Sequence, residues 1–246
     1  MARGDSSNRV NQLPAFLTAE WRLLAMLNYR VEPALLEPYV PTGTELDPYR
    51  GVHYASVVGF LFCNTRVVGV PIPFHRNFEE VNLRFYVRRK VNGETRRAVV
   101  FIRELVPRRA IATLARFAYN EPYRAVPMQH EVSAKRVAYR WKLNGAWTTL
   151  SADLSGDGVV PPHDSEEAFI TEHYWGYTRQ RDGGTVEYEV KHPRWRVWRA
   201  TSAKIDGSLA DVYGEQWARV LSGPPASAFV ADGSPVSVHF PKRIER

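Results

Sequence analysis

Residues 79–93 read EEVNLRFYVRRKVNG, and this stretch decides the fold class. Val81, Leu83, Phe85 and Val87 alternate with Asn82, Arg84, Tyr86 and Arg88. Side chains on a strand point to opposite faces in turn, so this period of two predicts a half-buried strand. Asn92-Gly93 follows, and that pair favours the left-handed conformations a tight hairpin turn requires. The apolar run from Ala98 to Leu105 then reads as the returning strand.

The same signals recur on both sides of this hairpin. Trp21 to Val31 is apolar enough for a strand or a helix, and we read it as a strand. Glu32-Pro33 opens a short helix that must end near Pro41. Val52 to Cys63 is a strand, and the proline-bearing stretch 69–78 is a loop or an edge. From Pro107, apolar residues at Ile111, Leu114, Ala115 and Ala118 predict an amphipathic helix, stopped at Asn120-Glu121-Pro122. Glu131 to Leu143 and Trp147 to Leu150 form a hairpin through Asn144-Gly145. Asp164 and Glu167 have the spacing of a capping box for a helix through about His173. Tyr174 to Arg181 and Thr185 to Val190 flank Asp182-Gly183-Gly184 as another hairpin. Arg194 to Ala200 and Val236 to Phe240 are further strands. Many strands, few short helices and no alternation of strand with helix predict a mainly β (α+β) protein, a closed or nearly closed barrel. Residues 1–14 are polar and aperiodic and read as a loose tail, leaving 15–246 as one domain.

The chain has 246 residues, 44% of them hydrophobic and 24% charged, which suits a globular domain with one sizeable core. No run is apolar for the length of a membrane span, and the first residues have no apolar segment of a secretory signal. Cys63 is the only cysteine, which excludes an internal disulfide. These features lead us to expect a cytoplasmic protein. The net charge is +7, and of 33 basic residues only six are lysine. Arginine is the residue suited to bidentate contacts with carboxylates and phosphates. The densest basic stretch, Arg84 to Arg109, raises a nucleic-acid partner. Its basic residues alternate with apolar ones and are diluted by Glu79, Glu80, Glu94 and Glu104, so a solvated sheet face is the preferred reading.

Glycine-rich phosphate loops, a nucleophile elbow and paired-histidine metal motifs are all missing from the sequence. We therefore expect neither a metal nor a cofactor. Cys63 sits in an apolar strand and reads as inert. Arg22, Glu80 and Arg116 lie beside apolar runs, and a buried charge of this kind needs a partner. A structural ion pair satisfies that need as well as a chemical site does. His173, Tyr174, Tyr177, His192 and Trp195 are amphipathic side chains of the sort that line ligand pockets or fill a barrel.

The segments FLTAEWR (16–22), PYRG (48–51), EEVNLRFYV (79–87), AR (115–116) with EPY (121–123), and FITEHYWGYTR (169–179) with VKHPRW (190–195) occur in this order. Together they resemble the bacterial DUF2071, or YqjF-like, family over about residues 15–240. That family is grouped with the acetoacetate decarboxylase-like superfamily, which implies a β-barrel around an internal pocket. The decarboxylases carry a lysine that forms a Schiff base and a second lysine that depresses its pKa. Ala110-Ile111-Ala112, Arg116 and Pro122 fit their segment, but Tyr123 and Arg124 stand where the lysines would be. Arg22 falls at a pocket arginine and Glu80 near a pocket glutamate. A second glutamate would fall near 52–56, where this chain has His53, Tyr54 and Ser56.

An imine needs a neutral primary amine, which arginine and tyrosine cannot supply. The resemblance therefore implies the fold and the pocket, without decarboxylation through a Schiff base. Lys135 and Lys191 read as ordinary exposed lysines. We expect a pocket for a small anionic, carboxylate or keto-acid-like ligand. Arg22 and Arg124 would hold the anion, with Arg116, His53, Tyr174 and His192 around it. Tyr123 and Glu80 are the candidate catalytic pair, one donating to a carbonyl or enolate oxygen and the other moving a proton. Any turnover would be lyase or enolisation-type chemistry. The rival readings are a non-catalytic sensor or carrier, and a basic protein associated with nucleic acid. A homo-oligomer is left open.

Overall fold

The computed structural model describes residues 15–71, 73, 75–107, 120 and 122–244. Among them the strands are β1 (Ala15–Arg30), β2 (Glu45–Leu46), β3 (Tyr54–Val67), β4 (Val70–Pro71), β5 (Phe78–Val91), β6 (Glu94–Val106), β7 (Tyr123–Ala125) and β8 (Met128–Ser133). They continue with β9 (Arg136–Leu143), β10 (Ala146–Leu154), β11 (Trp175–Arg179), β12 (Thr185–Lys191), β13 (Val197–Asp206), β14 (Ser227–His239) and β15 (Lys242–Arg243). Helices are few and short, at Pro33–Leu36, Glu166–Thr171, Ala210–Tyr213 and Glu215–Leu221. Among the described residues no helix is long and apolar enough to cross a membrane.

The hairpin through Asn92-Gly93 forms as its sequence demands. Asn92 and Gly93 take φ of 49° and 84°, and β5 pairs antiparallel with β6 across the turn. From β5 the pairing runs through β3 and β1 to β14, and from β6 through β11 to β12. β12 then meets β14 at Val190–Val238 and Lys191–Ser237, which closes the circuit. β6 and β11 are parallel, and the other pairs of this circuit are antiparallel. A second run, β13, β10, β9 and β8, leaves β14.

The circuit is packed on both faces. Its outer face carries Ala25, Leu27, Val57, Val81, Leu83, Phe85 and Val87. These pack with Tyr139, Trp141 and Leu150 of the second run and with Trp217 and Leu221 of a C-terminal helix. Gly59 makes the approach close, since a Cβ there would stand 2.5 Å from the Tyr139 ring. Its inner face carries Leu24, Met26, Val58, Phe60, Phe62, Phe78, Tyr86 and Val99 around Phe169 and Trp195. The expectation of a half-buried β5 is therefore corrected. Asn82, Arg84 and Tyr86 are buried as well, because they face the interior of the circuit rather than water.

Two irregularities decide which side chains turn inward. Between Leu83 and Arg84 the β5–β6 register shifts by one, leaving Ile102 as an extra residue. A bulge of this kind flips every residue beyond it. It places Glu104 opposite Asn82 while Phe101 stands opposite Arg84, so residues of unlike parity share the inner face. The second lies at Leu23 of β1, with φ of 56°, where the β1–β3 register also shifts. Here Gly233 has φ of 80°, and a Cβ would stand 1.9 Å from the Trp21 carbonyl oxygen, so only glycine fits. Trp21 on one side of this kink and Leu24 on the other both reach the inner face.

Other expectations need adjustment. The run from Glu131 to Leu143 is two strands, broken by a turn at Ala134-Lys135 that has no glycine, proline or asparagine to announce it. The cap of the Glu166–Thr171 helix is Ser165, not Asp164. Its Oγ accepts from the Ala168 N–H at 3.1 Å. The amphipathic helix expected from Pro107 falls almost wholly on 108–119, outside the described residues.

Candidate functional site

A cavity of about 110 Å³ lies on the inner face of the circuit. Since one water needs roughly 10–15 Å³ measured this way, there is room for several waters or a small organic molecule. Trp21, Phe60, Phe62, Phe78, Phe101 and Trp195 are among the residues that make its walls apolar and aromatic. His192 stacks on Trp195 with ring centroids 4.0 Å apart and meets Tyr174 at 4.8 Å. Burial pushes the His192 imidazole down to about 4, so it is neutral near neutral pH.

Against these walls stands a polar row built by sheet register. Glu80, Asn82 and Arg84 alternate along β5 and face inward together. Glu104 of β6 is paired with Asn82, and Tyr123 of β7 is paired with Glu104. Glu80 is 2% exposed and accepts from Tyr123 Oη at 3.2 Å and from Asn82 Nδ2 at 3.1 Å. The carboxylate fixes the Asn82 amide, whose Nδ2 must donate. The Asn82 Oδ1 therefore faces elsewhere, and it is buried with no hydrogen-bond partner among the described residues.

Arg84 is 9% exposed. Its Nη2 donates to the Ile170 carbonyl at 3.3 Å and lies 3.9 Å from the Met26 sulfur, while its Nε is buried without a partner. Among the described residues it has no carboxylate partner. An uncompensated buried cation is costly, so its positive charge is available to anything that enters.

At the other end of the cavity His173 is buried, with ring contacts to Tyr86 at 4.7 Å and Phe169 at 5.0 Å. Its Nε2 lies 3.3 Å from Asp47 Oδ2. Burial raises the Asp47 carboxyl, but hydrogen bonds from His173 and Arg97 outweigh this and hold it below its usual value. Burial pushes His173 down to about 4, against the opposing pull of Asp47. A neutral imidazole beside an ionised carboxylate donates from Nε2, which leaves Nδ1 as a bare acceptor. Among the described residues that buried Nδ1 has no partner, and neither has the Trp21 Nε1–H.

Of the residues singled out from sequence, the structure places Tyr123, Glu80, His173, His192 and Trp195 on the cavity wall. Tyr174 touches His192 from behind and is not itself a wall residue. Arg22 follows Trp21 on a strand, so its side chain takes the opposite face. There it pairs with Glu20, which also accepts from Asn64. Arg124 likewise follows the inward Tyr123 and is absent from the wall. His53 is half-buried outside the cavity, and its carbonyl accepts from the Val31 N–H at 3.0 Å. Arg116 lies outside the described residues. Asn82, Arg84, Glu104 and Asp47 were not singled out as site residues, nor was the contact of Asp47 with His173. The polar side chains breaking an otherwise aromatic strand face at 80, 82 and 84 were the available signal. Among the described residues no group of three or more His, Cys, Asp or Glu is placed to hold a metal ion.

The DUF2071 family of uncharacterized conserved proteins matches residues 18–235. The uncharacterized protein YqjF of Bacillus subtilis (strain 168) is 27% identical over 203 residues, 79% of this chain and 80% of that protein. The fold matches an acetoacetate decarboxylase from Legionella pneumophila with a TM-score of 0.67 at 12% identity, covering 98% of this chain and 92% of the other. An acetoacetate decarboxylase-like enzyme from Sphingomonas wittichii RW1 matches with a TM-score of 0.67 at 13% identity, over 98% and 99% of the two chains. The enduracididine biosynthesis enzyme MppR, solved with the condensation product of pyruvate and imidazole 4-carboxaldehyde, matches with a TM-score of 0.65 at 13% identity over 94% and 90%. Identities this low speak to the fold alone, which is that of the acetoacetate decarboxylase-like proteins.

Proposed function

From the premise that this chain belongs to the DUF2071 family, we propose that it binds a small carboxylate in the inner cavity, anchored on Arg84 and without forming an imine. The buried, carboxylate-free guanidinium of Arg84 carries this reading. A carboxylate entering the cavity gains a charge-assisted bond and relieves the cost of an isolated buried cation. The aromatic walls suit the apolar body of such a ligand. None of the six lysines is among the wall residues, which supports a reading without a Schiff base. Arg84 takes the anchoring part first assigned to Arg22 and Arg124, whose side chains point away from the cavity.

The Tyr123–Glu80 hydrogen bond favours a second reading, proton movement at the bound acid in an enolisation-type reaction. Tyr123→Phe would then reduce turnover of a bound keto acid while leaving binding intact. Unchanged turnover removes Tyr123 from any mechanism.

Calorimetric titration with phenylacetate and with phenylacetamide tests the binding reading. The acid is expected to bind and its neutral isostere to bind at least about tenfold more weakly, with Arg84→Met abolishing the difference. Equal affinity for acid and amide would refute the anchor. Borohydride treatment with a 2-oxo acid is expected to leave the protein mass unchanged. A reduced adduct would restore imine chemistry.

A further inference from the structure

Among the described residues five polar atoms of cavity-wall residues are buried without partners: Arg84 Nε–H and Trp21 Nε1–H as donors, Asn82 Oδ1 and His173 Nδ1 as acceptors, and the Thr65 hydroxyl, which can act as either. Native structures rarely leave buried polar atoms unpaired, so a group of them on one small cavity describes a ligand by its complement. The donors match the carboxylate already argued for. The acceptors cannot be satisfied by a carboxylate, which has no hydrogen to give. We infer that the ligand is a hydroxy acid, whose carboxylate meets Arg84 while its hydroxyl donates to Asn82 Oδ1 or His173 Nδ1.

The inference rests on the carboxylate reading and sharpens it. Arg84 sits between the two acceptors. Asn82 is two residues away on the same face of β5. On the other side the Arg84 guanidinium lies 5.8 Å from the Tyr86 ring centroid, and that ring is 4.7 Å from His173. The hydroxyl therefore belongs within a few bonds of the carboxylate. Both acceptors are held in role by their own partners: Glu80 accepts a hydrogen bond from the Asn82 amide and so fixes its orientation, and Asp47 takes the His173 Nε2–H. A hydroxyl meets them without adding a second cation beside Arg84. An apolar acid of the same shape would bury the same wall and leave both acceptors unpaired.

Matched pairs of acids test this by calorimetry at neutral pH: mandelate against phenylacetate, and 2-hydroxybutyrate against butyrate. In each pair the hydroxy acid is expected to bind about tenfold more tightly. His173→Phe or Asn82→Leu should shrink that preference, while Arg84→Met should remove binding of both members. Should one acceptor variant fail to fold, the other and the wild-type preference still decide. Equal or tighter binding of the deoxy acids, with Arg84 still required, would overturn the hydroxy-acid inference and leave the carboxylate reading standing. A hydroxy preference unchanged in both acceptor variants would overturn the assignment of the acceptors. No binding of any member would overturn both readings.

Discussion

Arg84 and Arg88 sit four residues apart on one face of β5, and their surroundings could hardly differ more. Arg88 donates to Glu45 at 2.8 Å and lies 3.8 Å from Asp47. Beside it Arg97 donates to Asp47 at 2.8 Å, while Arg89 and Arg96 share Glu187 at 3.4 and 2.7 Å. At this end of the hairpin each of these arginines meets a carboxylate, and the charges are structural. At the other end Arg84 is more deeply buried and meets a carbonyl, a sulfur and a cavity. Among the described residues Asp47 and Glu187 serve four outer arginines, and no carboxylate reaches the inner one. The difference separates charge that holds the sheet from charge that waits for a ligand.

Removing one partner from each end breaks or sharpens this contrast. Asp47→Ala removes the carboxylate shared by the part-exposed Arg97 and the buried His173, and the buried imidazole N–H left unpaired costs roughly 1–3 kcal/mol. The urea midpoint of the free protein should fall accordingly. Arg84→Met removes a cation that has no counter-charge, so the free protein should be as stable as wild type or more so. If Arg84→Met were the more destabilising, Arg84 would be a structural residue like Arg88.

A pH dependence comes next in size. His173 is surrounded by Asp47, Arg97 and Arg84, and His192 by Glu172, Arg84 and the Pro193 carbonyl. Both have folded pKa values near 4, below the 6.5 of an unfolded histidine. Between those values the unfolded chain holds more protons, so stability falls as pH drops through this window and the loss is complete below about 4. Urea unfolding at neutral pH and at about pH 5 should show a lower midpoint in acid. His173→Gln should flatten the dependence. Equal midpoints would mean the histidines are wet.

Smaller effects separate the two faces of the sheet. Gly59→Ala presses a methyl into the Tyr139 ring on the outer face, and overpacking of this sort costs about 1–3 kcal/mol. Because the inner face is untouched, acid binding should persist at the wild-type affinity. Ser165→Ala removes the cap of the helix that carries the Ile170 carbonyl, a loss of about 1 kcal/mol. It should weaken acid binding only slightly, since Arg84 keeps its place on β5.

The hairpin at 79–105 was legible because period two and Asn92-Gly93 are local signals. The family resemblance likewise pointed to the fold that the comparisons bear out. The facing of the arginines was not legible. It depends on single inserted residues near Leu23 and at Ile102, which leave no mark in composition yet reverse the parity of everything beyond them. The Asp47–His173 contact joins residues 126 apart, and in sequence Asp47-Pro48 reads only as a turn. Tyr123 was named because the resemblance aligned it, and Glu80 for that reason and because it is a charge beside an apolar run. Arg84 was passed over because strand spacing in a basic segment reads as a solvated face, and only closure of the circuit makes that face an interior.

The most direct test is to soak crystals with 4-bromophenylacetate and locate the bromine by its anomalous scattering. The account predicts a bromine among the aromatic walls near Trp195, with the carboxylate on Arg84. A carboxylate seated on Arg22 or Arg124 instead, or an empty cavity at saturating acid, would contradict it.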